Sequence, residues 1–190
     1  MVLDETDAGI YELIIRYNKW RRIYSYAGKL APDEAEWDSG RLYFRFGYPH
    51  PDWWAFILAA TVDGHYQCLR ASTERSAVPI ESPQGIFARI DDAGKYLIYG
   101  IAESLRIDCR LEPVSWRWGD EGLDSQVDAH IQSGRVVQYV MRNNPDAYCI
   151  MTRGDMPYSH ILPLSYDELD ELLLDGFPES VRLQLDVEPG

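Results

Sequence analysis

The stretch 41–71 leaves few folds open, because its hydrophobic pattern runs strand, loop, strand, turn, strand. Leu42, Phe44 and Phe46 alternate with Tyr43 and Arg45, the two-residue period of a half-buried strand. A loop over 47–52 with Pro49 and Pro51 follows, then an apolar run over 53–62. Asp63 with Gly64 supplies a two-residue hairpin turn, and 66–71 returns. Three antiparallel strands result, and a chain that begins this way builds its core against a sheet. The segment 72–85, with Pro79 and Pro83, reads as loop or edge.

Part of this pattern recurs. Ser39, Gly40, Arg41 reappear as Ser133, Gly134, Arg135, and Pro145 with Asp146 follows at the same internal distance as Pro51 with Asp52. The glycines would allow chain reversals into strands that Arg41 and Arg135 open. A second meander is read from 136–141, a turn at 143–145 and 147–152, after which 153–157 turns into a strand at 160–162. Duplication would make halves of 7–90 and 91–187; chance identity of common turn residues is the alternative.

Three segments carry the helical period. Asp7 can cap a helix in which Ile10, Leu13, Ile14, Tyr17, Arg21 and Tyr24 follow an i, i+3, i+4, i+7 course, its apolar face widened by Tyr11, Ile15 and Trp20, with Gly28 as its stop. Pro32, Asp33, Glu34 and Glu36 then read as a connection. Asp91 and Asp92 can start a second helix with Leu97, Ile98, Ile101 and Leu105 on one face, although Gly94 and Gly100 weaken it. A buried strand over 95–101 competes; the helix is preferred because Lys95, Glu103 and Arg106 can occupy the other side. Ser165 with Glu168 forms a capping box for the third helix, Leu164 can staple onto Leu169, and Gly176 with Pro178 ends it. Val181, Leu183, Leu185 and Val187 alternate as a final strand or ordered tail. Residues 109–132 show no sustained period, and long irregular stretches inside compact domains are often functional. The fold class is therefore α+β, with an antiparallel sheet or sheets from two strand meanders and three helices packed against them, in a single domain over 1–190.

A formal net charge of −13 disfavours nucleic acid, whose binding rests on Lys and Arg displacing counterions. It suits solubility, or a basic protein partner. No apolar run reaches the roughly 18 residues of a membrane span, and the start has three acidic residues before position 8 where a signal peptide would carry cations. A cytoplasmic protein without membrane or nucleic-acid partners is expected. Cys68, Cys109 and Cys149 are odd in number and far apart, which argues for free buried thiols over disulfides or a zinc site.

Glycine signatures of Rossmann and Walker type, the helical zinc motif and the Gly-x-Ser-x-Gly elbow are absent. No catalytic, cofactor or metal site is assigned. His50 with Asp52, and Cys149 with His160, are the nearest approaches to chemistry, and a structural role is preferred for both. Helix capping explains Asp91 or Asp92 better than an acid-base pair does. Two stretches stand out as contact surfaces instead. Tyr48, His50 and Trp53 with Trp54 cluster at a strand entry, and Trp116, Arg117, Trp118, Asp120 and Glu121 combine hot-spot residue types with acidic groups. For Trp53 and Trp54 the preferred reading is that one faces the core and both anchor the loop. For Trp116 and Trp118, which would share a strand-like face, burial and contact both stand.

The run 40–46 before Trp53 and Trp54, the segment KYLIYGIAESLR over 95–106, and the acidic, lysine-poor composition together resemble actinobacterial immunity proteins of polymorphic toxin systems. The resemblance is closest to the group that neutralises tuberculosis necrotizing toxin, an NAD glycohydrolase. It implies a non-enzymatic antitoxin that binds a cognate toxin domain one to one and occludes its active site. The alternative from segment order is a secretion-chaperone-like or adaptor module holding a protein client.

Overall fold

Asp7 caps the first helix, its carboxylate accepting the Gly9 N–H at 2.8 Å, and α1 (Ala8–Tyr26) follows. The structure, a computed structural model, describes residues 3, 7–74, 76 and 78–185. Most of the acidic start (1, 2 and 4–6) and Val187 of the expected last strand lie outside the described residues. Tyr11, expected to widen the apolar face of α1, points to solvent, whereas Trp20 is fully buried.

Eight strands form one antiparallel sheet: β1 (Glu36–Asp38), β2 (Arg41–Phe46), β3 (Trp54–Ala60), β4 (Tyr66–Ser72), β5 (Ile80–Phe87), β6 (Val127–Ser133), β7 (Val136–Met141) and β8 (Asn144–Thr152). Their spatial order is β1-β2-β3-β4-β5-β8-β7-β6. Two meanders thus run inward from opposite edges and join where Ile86 meets Ile150 and Phe87 meets Cys149. The fold is α+β, as the sequence pattern implied.

Several local expectations need correcting. The connection after α1 contains the edge strand β1. The β3–β4 hairpin is longer than the two residues of Asp63–Gly64, since Thr61 N–H donates to the His65 carbonyl across Val62, Asp63 and Gly64. The segment expected to be loop or edge contains β5, an interior strand. Pro83 is tolerated there because it pairs only toward Leu69 of β4, while β8 reaches β5 no further than Ile86 and Phe87; a residue without an N–H interrupts no ladder on that side. Residues 153–161 form a 3-10 helix in place of a turn and strand, and 179–185 form the short α5 (Glu179–Arg182) and a 3-10 turn in place of a strand.

The echoed triplets both fall in hairpin turns, one residue out of register. Ser39 and Gly40 lie between paired Asp38 and Arg41, both with positive φ (54° and 76°), the backbone twist that two-residue hairpins need. In the second hairpin Ser133 pairs with Val136, so Gly134 and Arg135 form the turn and Val136, not Arg135, opens the strand. Of the turn expected over 143–145, Asn144 and Pro145 belong to β8.

α2 (Ile90–Asp108) is the spine of the helical face. Leu42, Phe44, Phe56, Leu58, Tyr139 and Cys149 meet it and α1 in one continuous core. Neither Asp91 nor Asp92 is its cap: Arg89 holds that position and the two carboxylates occupy the first turn. Gly100 lies against the Phe56 ring, where an added Cβ would come within 2.5 Å of the ring edge. The glycine that weakens the helix locally is what lets it seat on β3. Lys95, Glu103 and Arg106, expected on a solvent side, are all buried, because α2 is covered on that side too. Lys95 Nζ donates to the carbonyls of Leu162 and Leu164 at 3.1 and 2.7 Å and faces Asp92 at 2.9 Å. Arg106 donates to the Leu173 and Asp175 carbonyls at 2.7 Å each, at the end of α4 (Tyr166–Leu174). Unpaired charges would be very costly here; paired with carbonyls they fasten the surrounding chain. α4 begins at its capping box, with the Ser165 hydroxyl accepting the Glu168 N–H, and is tied to α1 where buried Asp170 accepts Trp20 Nε1–H at 2.7 Å and Arg16 at 2.9 Å.

The opposite face of the sheet carries a smaller cluster of Tyr43, Ala55, Ile57, Leu69 and Ala71, with Trp53 packed on it. Arg41 of β2 reaches Glu81 of β5 through two hydrogen bonds of 3.0 and 2.8 Å. Three inter-strand spacings separate these strands, about 14 Å in a flat sheet. Both side chains extend across β3 and β4, and the ion pair straps over the small cluster.

Candidate partner-binding surface

The stretch that looked irregular holds α3 (Val114–Glu121), which leads through Gly122 into β6. Its N-terminus is fixed from below: Glu103 of α2 accepts the N–H groups of Val114 and Ser115 at 3.1 and 3.0 Å and the Ser115 hydroxyl at 3.1 Å. A carboxylate at the positive end of a helix is favourable, and it satisfies donors that a short helix cannot satisfy itself. At the other end Gly122 adopts φ 81°, and its carbonyl accepts from His160 Nε2 at 2.8 Å.

Helical geometry separates the two tryptophans. Trp118 points inward, its ring stacked between Tyr99 at 5.3 Å and His160 at 5.5 Å. The expectation of a shared strand-like face is thereby corrected: residues two apart diverge on a helix, so Trp118 belongs to the core and not to a contact surface. Trp116 is 66% exposed. Beside it Ile107, 57% exposed, Leu111 and Pro113 line a groove of about 640 Å³. A second concavity of about 570 Å³ shares Arg110 and Leu111 and continues to Phe177 and Val181. Charges of both signs border this region: Glu112 and Arg110 line the groove, Lys29 and Asp108 line the second concavity, Asp120 and Glu121 are exposed on α3, and Asp175 stands 3.8 Å from half-exposed Arg117. Ile107 was missed at the sequence level, although an apolar residue off the face set by Leu97, Ile98, Ile101 and Leu105 was the available signal.

The other expected cluster is explained from within. Tyr48 and Trp53 pack edge to face at 5.7 Å, and with Tyr43 they surround the Arg45 guanidinium, whose carbon lies 4.5, 5.0 and 5.8 Å from the rings of Tyr43, Tyr48 and Trp53. Arg45 also pairs with Glu36. Trp54 turns to the helical face and stacks on Phe46 at 3.8 Å, so the two tryptophans anchor opposite faces. His50 is exposed in the loop, where its backbone closes two turns with Gly47 and Trp53. This cluster packs on the small-cluster face of the sheet and α3 on the helical face, so the two do not form one patch.

The chemical alternatives lose their geometry. The ring nitrogens of His160 are directed at the Gly122 carbonyl and at the carboxylates of Asp124 and Glu121, 3.4 and 3.7 Å from Nδ1, so His160 is not set against Cys149. Burial holds the Cys149 thiol well above its ordinary value, and a protonated thiol is a poor nucleophile. Among the described residues no three His, Cys, Asp or Glu side chains gather in a way that could hold a metal, and no helix is long and apolar enough to cross a membrane.

No protein-family profile matches the chain, and no curated protein sequence does either. Among solved structures it is similar to Rv3902c from M. tuberculosis, at 15% identity with a TM-score of 0.54, over 82% of this chain and 87% of that one. The two share a fold.

Proposed function

We propose that this chain is an immunity protein that binds a cognate toxin, of the NAD-hydrolysing kind, in a one-to-one complex and blocks its active site within the cytoplasm. The observation that carries the reading is the exposed Trp116 on a helix pinned at both ends, beside Ile107 in a groove that Glu112 and Arg110 border. A rigid aromatic anchor in an apolar groove bordered by charged residues has the makeup of an interface centre. A toxin that binds an anionic dinucleotide needs a cationic cleft, which a chain of net charge −13 complements. The resemblance of 40–46 and 95–106 to actinobacterial immunity proteins supports the reading, and the fold held in common with an M. tuberculosis protein is in keeping with it.

The test is a titration of NAD hydrolysis by a necrotizing-type toxin with the purified protein. Stoichiometric loss of activity is expected, and undiminished hydrolysis at an excess of this protein would overturn the proposal. Trp116→Ala is expected to weaken inhibition by roughly 30-fold or more, the effect of losing a hot spot of about 2 kcal/mol. Unaltered inhibition would move the interface away from α3.

A further inference from the structure

The two edges of the sheet are unlike. β1 is three residues long and runs out of a segment with Pro32, Asp33 and Glu34, a short, charged edge of the kind that resists further pairing. β6 is seven residues long, and every residue from Asp128 to Ser133 is exposed. At about 3.3 Å per residue its regular part, Val127 to Ile131, presents roughly 16 Å of strand edge, ahead of a register shift between Ile131 and Ser133 and without a proline or a lysine. Its pairing to β7 fixes its two faces. Ala129 and Ile131 stand opposite Tyr139 and Val137, on the helical side, and Asp128 and His130 stand opposite Val140 and Gln138, on the other. Ile131 is 69% exposed.

Charge says what would lie along this edge. From Trp118 to Gly134 the chain has four carboxylates, Asp120, Glu121, Asp124 and Asp128, and no Lys or Arg. Asp128 is partly compensated by Arg142 at 2.8 Å; the other three sit where α3 hands over to β6. A second copy paired antiparallel along this edge would offer no Lys or Arg from its own β6 to answer them. We infer that β6 accepts, by strand addition, an extended segment of a partner protein that is basic on the Asp128 face and apolar on the Ile131 face. Backbone hydrogen bonds would supply affinity and the alternating side chains selectivity. The inference deepens the function proposed above and rests on it for the partner being a protein.

The probe is a fluorescein-labelled eight-residue peptide of alternating Lys and Val, with an analogue methylated on alternate backbone nitrogens as control. Fluorescence anisotropy is expected to show the plain peptide binding, and the methylated one at least tenfold more weakly. His130→Pro should lose at least tenfold, and Ile131→Lys, which leaves the backbone free to pair and cannot fail through proline, should lose a similar factor. Trp116→Ala should bind the peptide as the unsubstituted protein does. Equal binding of the two peptides, full binding by Ile131→Lys, or no binding would each overturn the inference. So would a dimer in sedimentation that His130→Pro abolishes, since the occupant would then be a second copy. Peptide failure with toxin inhibition intact refutes only the strand addition; failed inhibition with peptide binding intact refutes only the immunity reading.

Discussion

α2 and α3 invert the usual arrangement in opposite senses. α2 carries Lys95, Glu103 and Arg106 inward, each on backbone groups of another segment, while α3 carries Trp116 outward with no core to fill. A buried charge with a complete set of partners is a fastener, and its removal should damage the fold. An exposed tryptophan on a fixed helix is available to a partner, and its removal should leave the fold alone.

Substitutions can break this contrast. Arg106→Ala leaves the carbonyls of Leu173, Asp175 and Glu112 and the Glu103 carboxylate without their cation, and is expected to cost about 3–5 kcal/mol in urea unfolding. Trp118→Ala, which empties the site between Tyr99 and His160, should cost a similar 3–5 kcal/mol. Gly100→Ala forces a methyl group against the Phe56 ring, and about 1–3 kcal/mol is expected by the same measurement. Ser165→Ala removes the cap of α4 for about 1 kcal/mol. Trp116→Ala should stay within about 0.5 kcal/mol of the parent; a loss as large as that of Trp118→Ala would erase the distinction between the two residues.

Acid sharpens the contrast between exposed and buried polar devices. The backbone N–H and then the hydroxyl of Ser165 hold Glu168 below its ordinary value near 4.5. A carboxyl with a lowered folded value adds stability above the unfolded value, and that stability is lost as pH falls through the folded one. Thermal midpoints followed downward from about pH 6 should therefore fall less steeply below about pH 4.5 in Glu168→Gln than in the parent. An identical slope would remove the capping box from the account.

Much of the scaffold was legible in the sequence. Asp7, the 97–105 spacing and the Ser165–Glu168 box locate three helices, and the alternation from Leu42 to Phe46 locates the sheet. β1 and β5 were hidden by length and by Pro83, whose tolerance depends on how far β8 extends, a fact of tertiary structure. α3 was hidden because two turns cannot establish a period, and because tryptophans two apart imitate a strand. The buried charges of α2 were misread for a related reason: the pattern tells which residues are apolar, not how many sides of a helix will be covered. Of the candidate surface, Trp116 and the exposed carboxylates of α3 were legible, Ile107 was signalled but passed over, and the edge strand β6 lay inside what looked like loop.

The fasteners on α2 also govern the order in which the molecule can assemble. Lys95 finds its two carbonyl partners, and Arg106 two of its three, 67 to 69 positions further along the chain. Until those residues arrive, the outer side of α2 must keep its water, because dehydrating the two cations beforehand would cost several kcal/mol each. The two sheet meanders can pair earlier, so closure of the core waits for the last third of the polypeptide to leave the ribosome. A chain cut short before α4 would hold a sheet with a wet spine.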